Sequence, residues 1–286
     1  MLSNRVSEIM TTNLTTAAIE RPIQEVLEMM TATDVGRVIV TNAAVPVGIF
    51  TEKDVLTRVV NAALDPGQSP IKDVMTTPIR AVREETHIVE AFGRMYRGKY
   101  RHLLVRGRRG KIIGIVSMRR ILGMAVELGQ GMSEIKTLSS LMSGEALCLD
   151  ENSSVYEAIN LMIQKSVPSV VITIAGTPMG IFTERDVLKR VASKRMNTKG
   201  TPVKEVMTSP LLTMAETALV GEALTEMYRR DIRNMPVMGA NGHLIGVVSM
   251  PDILQYAAAF DIDEKVRQTW KEVQEYYDSG DQYTPG

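Results

Sequence analysis

One nine-residue peptide occurs four times in this chain at a fixed spacing. Residues 48–56 (GIFTEKDVL) return almost unchanged as residues 180–188 (GIFTERDVL), and looser copies occupy 114–122 and 246–254. Their hydroxyl residues stand at 51, 117, 183 and 249, always 66 residues apart. A fixed period of this kind indicates one structural unit copied in tandem. We therefore expect four similar units.

The sequence pattern of each unit predicts the same order of helices and strands. An opening segment ends in Met, an extended stretch and an amphipathic helix follow, then two β-rich runs, and the repeated peptide begins a second helix. Proline in the first turn suits a helix start, so Pro22 marks the first helix of unit one. The first helix of each unit is predicted to carry an apolar stripe. In units one to four the stripes are Ile23, Val26, Leu27 and Met30; Val89, Phe92 and Met95; Val155, Ile159 and Met162; and Leu219, Ala223 and Met227.

The predicted fold class is therefore α/β (α+β), with four tandem β-α-β-β-α units. The expected boundaries are 1–64, 65–130, 131–197 and 198–260, followed by a C-terminal helix and tail at 261–286. About 60 residues bury too little surface to be comfortably stable alone, so units should pair. Units one and three agree at 11 of the 14 positions in 46–59 and 178–191, and units two and four share a different motif. The duplicated block is thus a two-unit module, near 1–130 and 131–260.

Composition describes a globular protein of the cell interior. Apolar residues make up 44%, charged residues 23%, and the net charge is zero. No apolar run approaches the ~18 residues of a membrane span, no secretory signal opens the chain, and the single Cys148 fits a reducing cytoplasm. Cys148 alternates with apolar neighbours and is predicted to be a strand thiol. His87, His102 and His243 lie far apart, so no metal site is expected.

Charge is unevenly distributed. Residues 80–120 hold 12 Lys or Arg against three acids, and residues 256–286 hold seven acids against three bases. Only Tyr96 and Tyr100 could stack on bases within the basic block, so nucleic acid is a disfavoured partner.

The repeated peptide has two interpretations. Thr51 followed by Asp54 is a helix capping box, and Thr183 with Asp186 and Ser249 with Asp252 repeat it. The second copy has Ser117 with Arg120, and the helix dipole disfavours a cation at a helix start. A ligand site can be lost in one copy without unfolding the others, so this exception favours a binding role. A helix N-terminus with a hydroxyl attracts phosphate, and a carboxylate matches the paired hydroxyls of ribose.

With these residues the chain resembles CBS (cystathionine β-synthase) domains, and each pair of units resembles a Bateman module. The resemblance covers about 260 residues, with three motif matches and one departure. It implies units paired through their sheets, with clefts that bind adenosine compounds. It assigns phosphate and ribose contacts to Thr51 and Asp54, Thr183 and Asp186, and Ser249 and Asp252, and puts a nucleotide at Ser117 in doubt.

The order Asp, Arg, Asp, Asp is similar to the gamma subunit of AMP-activated protein kinase. That similarity implies basic residues before the second strand that reach phosphates at the centre of a four-unit disc. It selects Arg101 and His102 in unit two and Arg233 in unit four, with Arg119 as a weaker candidate; Val35 and Val167 leave the odd units without a basic residue there. The adenine ring should contact the stretches that contain Pro78, Ile79, Pro210 and Leu211.

The leading hypothesis is a non-catalytic regulatory protein that binds AMP, ADP or ATP and signals to an unknown protein target. The alternatives are another adenosine ligand, such as S-adenosylmethionine or NAD, and a ligand-free scaffold. An enzyme has little support, since Glu52 and Glu184, taken as exposed, are the only acid–base candidates and no catalytic cofactor is implied. Ile262, Val266, Trp270, Val273 and Tyr277 form one helical stripe that should dock on the chain itself, across a homodimer, or on a partner.

Overall fold

The computed structural model describes residues 5–127 except 61 and 63, then 136–142, 146–250 and 252–253. The predicted C-terminal helix and tail lie outside these residues.

Every unit contains a three-stranded mixed sheet. The first strand runs parallel to the second, and the second pairs with the third as an antiparallel hairpin. Two strands of the hairpin are rich in β-branched residues with turn residues between them, as the sequence predicts. The strands are β1 Thr16–Ala18, β2 Arg37–Asn42, β3 Val45–Thr51, β4 Ala81–Arg83, β5 His102–Arg106, β6 Ile112–Ser117, β7 Cys148–Asp150, β8 Ser169–Ile174, β9 Thr177–Thr183, β10 Met214–Ala215, β11 Asn234–Met238 and β12 Leu244–Ser249. Cys148 thus lies in a strand.

A helix connects the first two strands of each unit, and another begins at the repeated peptide. In units one and three the latter continues as a π-helix, at Val55–Val59 and Val187–Ala192. The helices are α1 Ile23–Ala32, α2 Glu52–Asp54, α3 Ile88–Gly98, α4 Met118–Glu127, α5 Val155–Lys165, α6 Glu184–Asp186 and α7 Val220–Arg229. The units are therefore β-α-β-β-α as predicted; the second helix of unit four lies mainly outside the described residues.

The buried helical stripes match the prediction in units one and three but not fully in the others. Ile23, Val26, Leu27 and Met30 of α1 are all buried. Val89 is 40% exposed, and its neighbour Ile88 is buried instead. In the fourth unit the predicted Leu219 is the N-cap and is exposed, while Val220 is buried. In both units the buried stripe begins one residue away from the predicted position.

The opening segments are exchanged within each module. The first, with its short helix Val6–Glu8, forms bridges to unit two through Arg5 with His87 and Thr11 with Ile115. The second, Ile71–Asp73, lies on unit one, where Ile49 pairs with Thr76. Leu138–Leu141 and Val203–Glu205 are exchanged in the same way between units three and four. The repeat in the sequence is therefore not the compact unit in space; the boundaries proposed above stay a prediction.

The four units share two large hydrophobic cores. One is built from units one and three, where the helices that follow Thr51 and Thr183 pack on each other; the second joins units two and four. A smaller cluster of Ile39, Leu104 and Ile115 packs the sheets of units one and two together. Sheets thus hold the units of the first module together, and helices join the two modules. All four units therefore meet near the centre of the molecule.

None of the helices in the described ranges is long and apolar enough to cross a bilayer.

Candidate functional site

The repeated peptide forms capping boxes in units one and three. The amide and hydroxyl of Thr51 both donate to Oδ2 of Asp54, at 2.9 and 2.7 Å, and the Asp54 amide donates to the Thr51 hydroxyl at 3.4 Å. Thr183 and Asp186 repeat this arrangement with the same lengths within 0.1 Å. The capping interpretation of the motif is therefore confirmed in units one and three.

The second carboxylate oxygen is held by the exchanged opening segment. Thr76 Oγ1 donates to Asp54 Oδ1 at 2.9 Å, and Thr208 does the same for Asp186 at 3.0 Å. Both carboxylates are buried. Burial raises the pKa of Asp186 above its ordinary value of 3.8, although hydrogen bonds from Thr183 and Thr208 and the charge of Arg190 oppose the rise. These hydrogen bonds thus hold each carboxylate in a fixed orientation.

The even units show parts of this pattern within the described residues. In unit four, the amide and hydroxyl of Ser249 donate to Asp252 Oδ2 at 2.8 and 2.6 Å. In unit two, the Arg120 amide donates to the Ser117 hydroxyl at 3.2 Å, but no carboxylate completes the box.

A cavity of about 910 Å³ connects the unit-one and unit-four motifs. All four units contribute to its wall. Eight of the predicted site residues line it: Thr51, Asp54, Pro78, Ile79, Arg101, His102, Ser249 and Asp252. Seven do not: Ser117, Arg119, Thr183, Asp186, Pro210, Leu211 and Arg233. Of the predicted residues, the cavity therefore brings together two hydroxyl–aspartate pairs, Arg101 and His102. Four cations that the sequence did not single out also line it: Lys53, Arg58, Arg80 and Lys99.

Buried ion pairs between the modules occupy the centre. Arg101 of unit two donates to Glu184 of unit three at 2.8 Å, and Arg233 of unit four is bonded to Glu52 of unit one. The expectation that Glu52 and Glu184 are exposed is wrong, because they are only 3% and 7% exposed. They are the first residues of α2 and α6, and their backbone amides donate to the carbonyls of Gly36 and Pro168. Burial opposes ionisation of Glu52, but Arg233, Arg185 and Arg101 lower its pKa overall.

Arg119 pairs with an aspartate, whereas the other predicted arginines, Arg101 and Arg233, pair with the motif glutamates. It is ion-paired with Asp231, which also binds Arg185 at 2.7 Å, and its guanidinium lies 5.9 Å from the centre of the Tyr228 ring. These contacts hold unit two against units three and four.

Arg37 is a basic residue of this region that the sequence pattern did not indicate. It is paired in register with the motif threonine Thr51, as His102 is with Ser117, Ser169 with Thr183 and Asn234 with Ser249. Unit one therefore does supply a basic residue to the centre, two positions after Val35. The strand register, rather than alignment on Val35, is the signal that could have found it.

His102 is the titratable group most affected by this environment. Burial lowers its pKa well below the usual 6.5, and the charges of Arg37, Arg101 and Arg233 lower it further. The imidazole is therefore neutral at pH 7, with one nitrogen able to accept a hydrogen bond.

The described residues contain no cluster of three or more His, Cys, Asp or Glu side chains that could hold a metal ion.

Four stretches of the chain, residues 6–61, 71–127, 138–193 and 203–259, match the CBS domain model. The chain belongs to the CBS domain family. Its four CBS domains share 27% identity over 294 residues with the CBS domain-containing protein CBSCBSPB1 of Arabidopsis thaliana, covering 89% of this chain and 53% of that protein. The uncharacterized protein MJ1404 of Methanocaldococcus jannaschii is 27% identical over 276 residues, covering 90% and 63%. The chain thus spans little more than half the length of these relatives.

The same fold occurs in a solved structure of similar size. Protein MJ1225 of Methanocaldococcus jannaschii, proposed as an archaeal homologue of g-AMPK, superimposes with a TM-score of 0.74. The superposition covers 88% of this chain and 99% of that one, at 16% identity. At this identity the likeness shows the four-domain CBS fold.

Proposed function

We propose that this CBS domain protein is a non-catalytic regulator that binds an adenine nucleotide, AMP, ADP or ATP, between its domains. The observation that carries the proposal is the single cavity that Asp54, Asp252, Arg101 and His102 line together. Its wall contains two carboxylates that can accept from a ribose diol and a guanidinium that can bind phosphate. The volume is within the range of small-molecule sites.

The first cleft offers a place for each part of a nucleotide. Asp54 has three hydrogen-bond donors in the capping box and from Thr76, which leaves one of about four lone-pair positions for a ribose hydroxyl. Pro78 and Ile79 supply an apolar wall for the adenine ring. Arg101 would bind the phosphate. His102 is neutral and would supply a hydrogen bond rather than charge.

The Ser249 cleft is its counterpart in the second module. Ala146 and Leu147 come from the exchanged segment of unit three and line the cavity where Pro78 and Ile79 do in the first. Asp252 would accept from the ribose there. The proposal also includes two further sites, one at Thr183 and Asp186 with Pro210 and Leu211, and one at Ser117. None of these residues lines the cavity, so these two sites rest on the repeated motif alone.

A ligand-free scaffold is the second candidate, and the hydrogen bonding of Asp54 and Asp186 favours it. Each carboxylate already binds its own threonine and one from the exchanged segment. A family member that has no ligand would keep these bonds for stability alone.

Isothermal titration calorimetry with AMP, ADP, ATP, NAD and S-adenosylmethionine separates these possibilities. We expect an adenine nucleotide to bind and to raise the melting temperature, since a ligand of the native state stabilises it. Arg101→Gln should weaken binding, while the control Arg94→Gln, which removes a surface arginine bonded to Glu90, should not. If NAD or S-adenosylmethionine binds more tightly than AMP, ADP and ATP, the proposed ligand is wrong. If none of the compounds binds, the ligand-free scaffold is favoured.

Regulation would follow if the nucleotide favours one arrangement of the modules over another, because a ligand shifts an equilibrium only through differential affinity. The protein target, a homodimer and a cytoplasmic location remain predictions from the sequence.

A further inference from the structure

Glu184 places a negative charge in the wall of the cavity. Its side chain is 9% exposed, and its carboxylate lies 2.8 Å from Nη2 of Arg101, which is 32% exposed. Arg101 comes from the first module and Glu184 from the second. The guanidinium proposed to bind phosphate is therefore already bound to an anion of the protein.

A carboxylate and a phosphate present the same chemistry to an arginine. Both offer two oxygens to its fork of N–H donors, and charge makes these bonds strong. A phosphate that reaches Arg101 must displace Glu184 or share the guanidinium with it. In either case the phosphate lies close to a like charge with little water to screen it, and each added phosphate increases the repulsion.

The net charge of the residues that line the cavity fits one phosphate. Among the described residues in its wall, three carboxylates, Asp54, Glu184 and Asp252, offset five cations, Lys53, Arg58, Arg80, Lys99 and Arg101. The balance of about +2 matches the charge of a phosphate monoester, about −1.5 to −2 at pH 7, and is less than that of a triphosphate.

We propose that Glu184 is a specificity-determining residue that limits how many phosphates the cavity accepts, favouring one over three. This inference rests on the proposed function of the cavity. Glu184 acts as a resident anion on Arg101, so a nucleoside monophosphate needs only the remaining positive charge, whereas a triphosphate has to compete for the guanidinium.

The equivalent glutamate gives an internal comparison. Glu52 has the same place in its motif and binds Arg233, but neither residue lines the cavity. Units two and four have Met118 and Met250 at this position. At this motif position, Glu184 is therefore the one described residue whose carboxylate lines the cavity.

The test measures the affinities of AMP, ATP and inorganic tripolyphosphate for the wild-type chain and Glu184→Gln by calorimetry at fixed salt. We expect Glu184→Gln to bind ATP and tripolyphosphate about tenfold more tightly and AMP less than twofold differently. Glu90→Gln removes a surface carboxylate that also binds an arginine at 2.7 Å, and it should change none of the three. Glu184→Asp keeps the negative charge on a shorter side chain and should give a smaller gain in ATP affinity. If thermal denaturation shows that Glu184→Gln does not fold, the ATP affinity of Glu184→Asp tests the role of Glu184 instead.

Equal changes for AMP and ATP, or no gain for either ATP or tripolyphosphate, would overturn the role of Glu184. If no nucleotide binds any form while tripolyphosphate still binds Glu184→Gln more tightly, the proposed nucleotide function fails and the phosphate-limiting role of Glu184 stands.

Discussion

Asp54 has two roles that a single carboxylate can combine. Oδ2 closes the capping box at the start of α2, and Oδ1 binds Thr76 and lies 3.6 Å from Arg58. The carboxylate also lines the cavity. Because both oxygens are fixed by the protein, the orientation presented to a ribose would need little reorganisation on binding.

Asp54→Ala should weaken nucleotide binding about tenfold or more and reduce the free energy of unfolding by about 1–2 kcal/mol, the usual value of a cap. The matched control is Glu157→Ala, which breaks the exposed capping box that Ser154 and Glu157 form on α5, away from the cavity. Calorimetry and urea denaturation should show a stability loss in both variants and an affinity loss only at Asp54. An unchanged affinity in Asp54→Ala would leave the motif with a capping role alone.

His102 predicts a pH dependence of stability. Its folded pKa is depressed well below 6.5 by burial and then by neighbouring arginines, so below that pH the unfolded chain binds a proton that the folded chain does not. This group therefore lowers the free energy of unfolding as the pH falls below 6.5 toward the folded pKa, and it has no effect above 6.5.

Urea denaturation at pH 7 and pH 5 should show that His102→Gln loses less stability than the wild type on acidification, by an amount on the order of 1 kcal/mol. His243→Gln, at an exposed histidine, should behave as the wild type. The same loss in His102→Gln and wild type would contradict the assignment.

At the scale of elements, the exchanged opening segments make each module interdependent. Ile71 follows the first unit in sequence but is fully buried in the core that units one and three share. Thr76, a few residues later, holds the Asp54 carboxylate. One segment thus contributes both to the core and to the site.

Ile71→Ala should reduce the free energy of unfolding by about 2–5 kcal/mol, because it leaves a cavity in a packed core. Val45→Ala, at a position that is 61% exposed, should change it by less than about 0.5 kcal/mol. Chemical denaturation of both variants measures the difference. Similar small losses in the two would show that the segment does not pack as described.

At the scale of the whole molecule, two cores and the central ion pairs join the modules. Val55, Leu56 and Val59 pack with Val187, Leu188 and Val191 of the second module, so a module by itself would expose an apolar helical face. Surfaces of this kind tend to be covered by association.

A fragment of residues 1–130 should therefore dimerise through this face, and Val59→Asp should convert it to a monomer. Sedimentation velocity at micromolar concentration measures both, with Val45→Asp as a control on an exposed strand position. A wild-type fragment that stays monomeric and folded would show that the face does not drive association.

The repeat, the CBS family and the β-α-β-β-α unit follow from the sequence because they depend on local patterns. A 66-residue period, alternating strands and helical stripes are visible without knowing any neighbour. The motif positions of Thr51 and Asp54 were visible for the same reason, and so were both interpretations of them. The first stripe positions of units two and four were misplaced by one residue, at Ile88 and Val220, since periodicity does not fix where a helix begins.

Only the tertiary structure decided which units share a core, which opening segments are exchanged, and what surrounds each charge. Glu52 and Glu184 lie among charged residues of the repeated peptide, so the sequence predicted them to be exposed. The packing of unit one on unit four buries Glu52 against Arg233, and the packing of unit three on unit two buries Glu184 against Arg101. Arg37 was overlooked because its role depends on the strand register. The ion pairs of Glu184 and Glu52 join residues 83 and 181 positions apart, and burial at such contacts is a property of the assembled domains rather than of any local stretch.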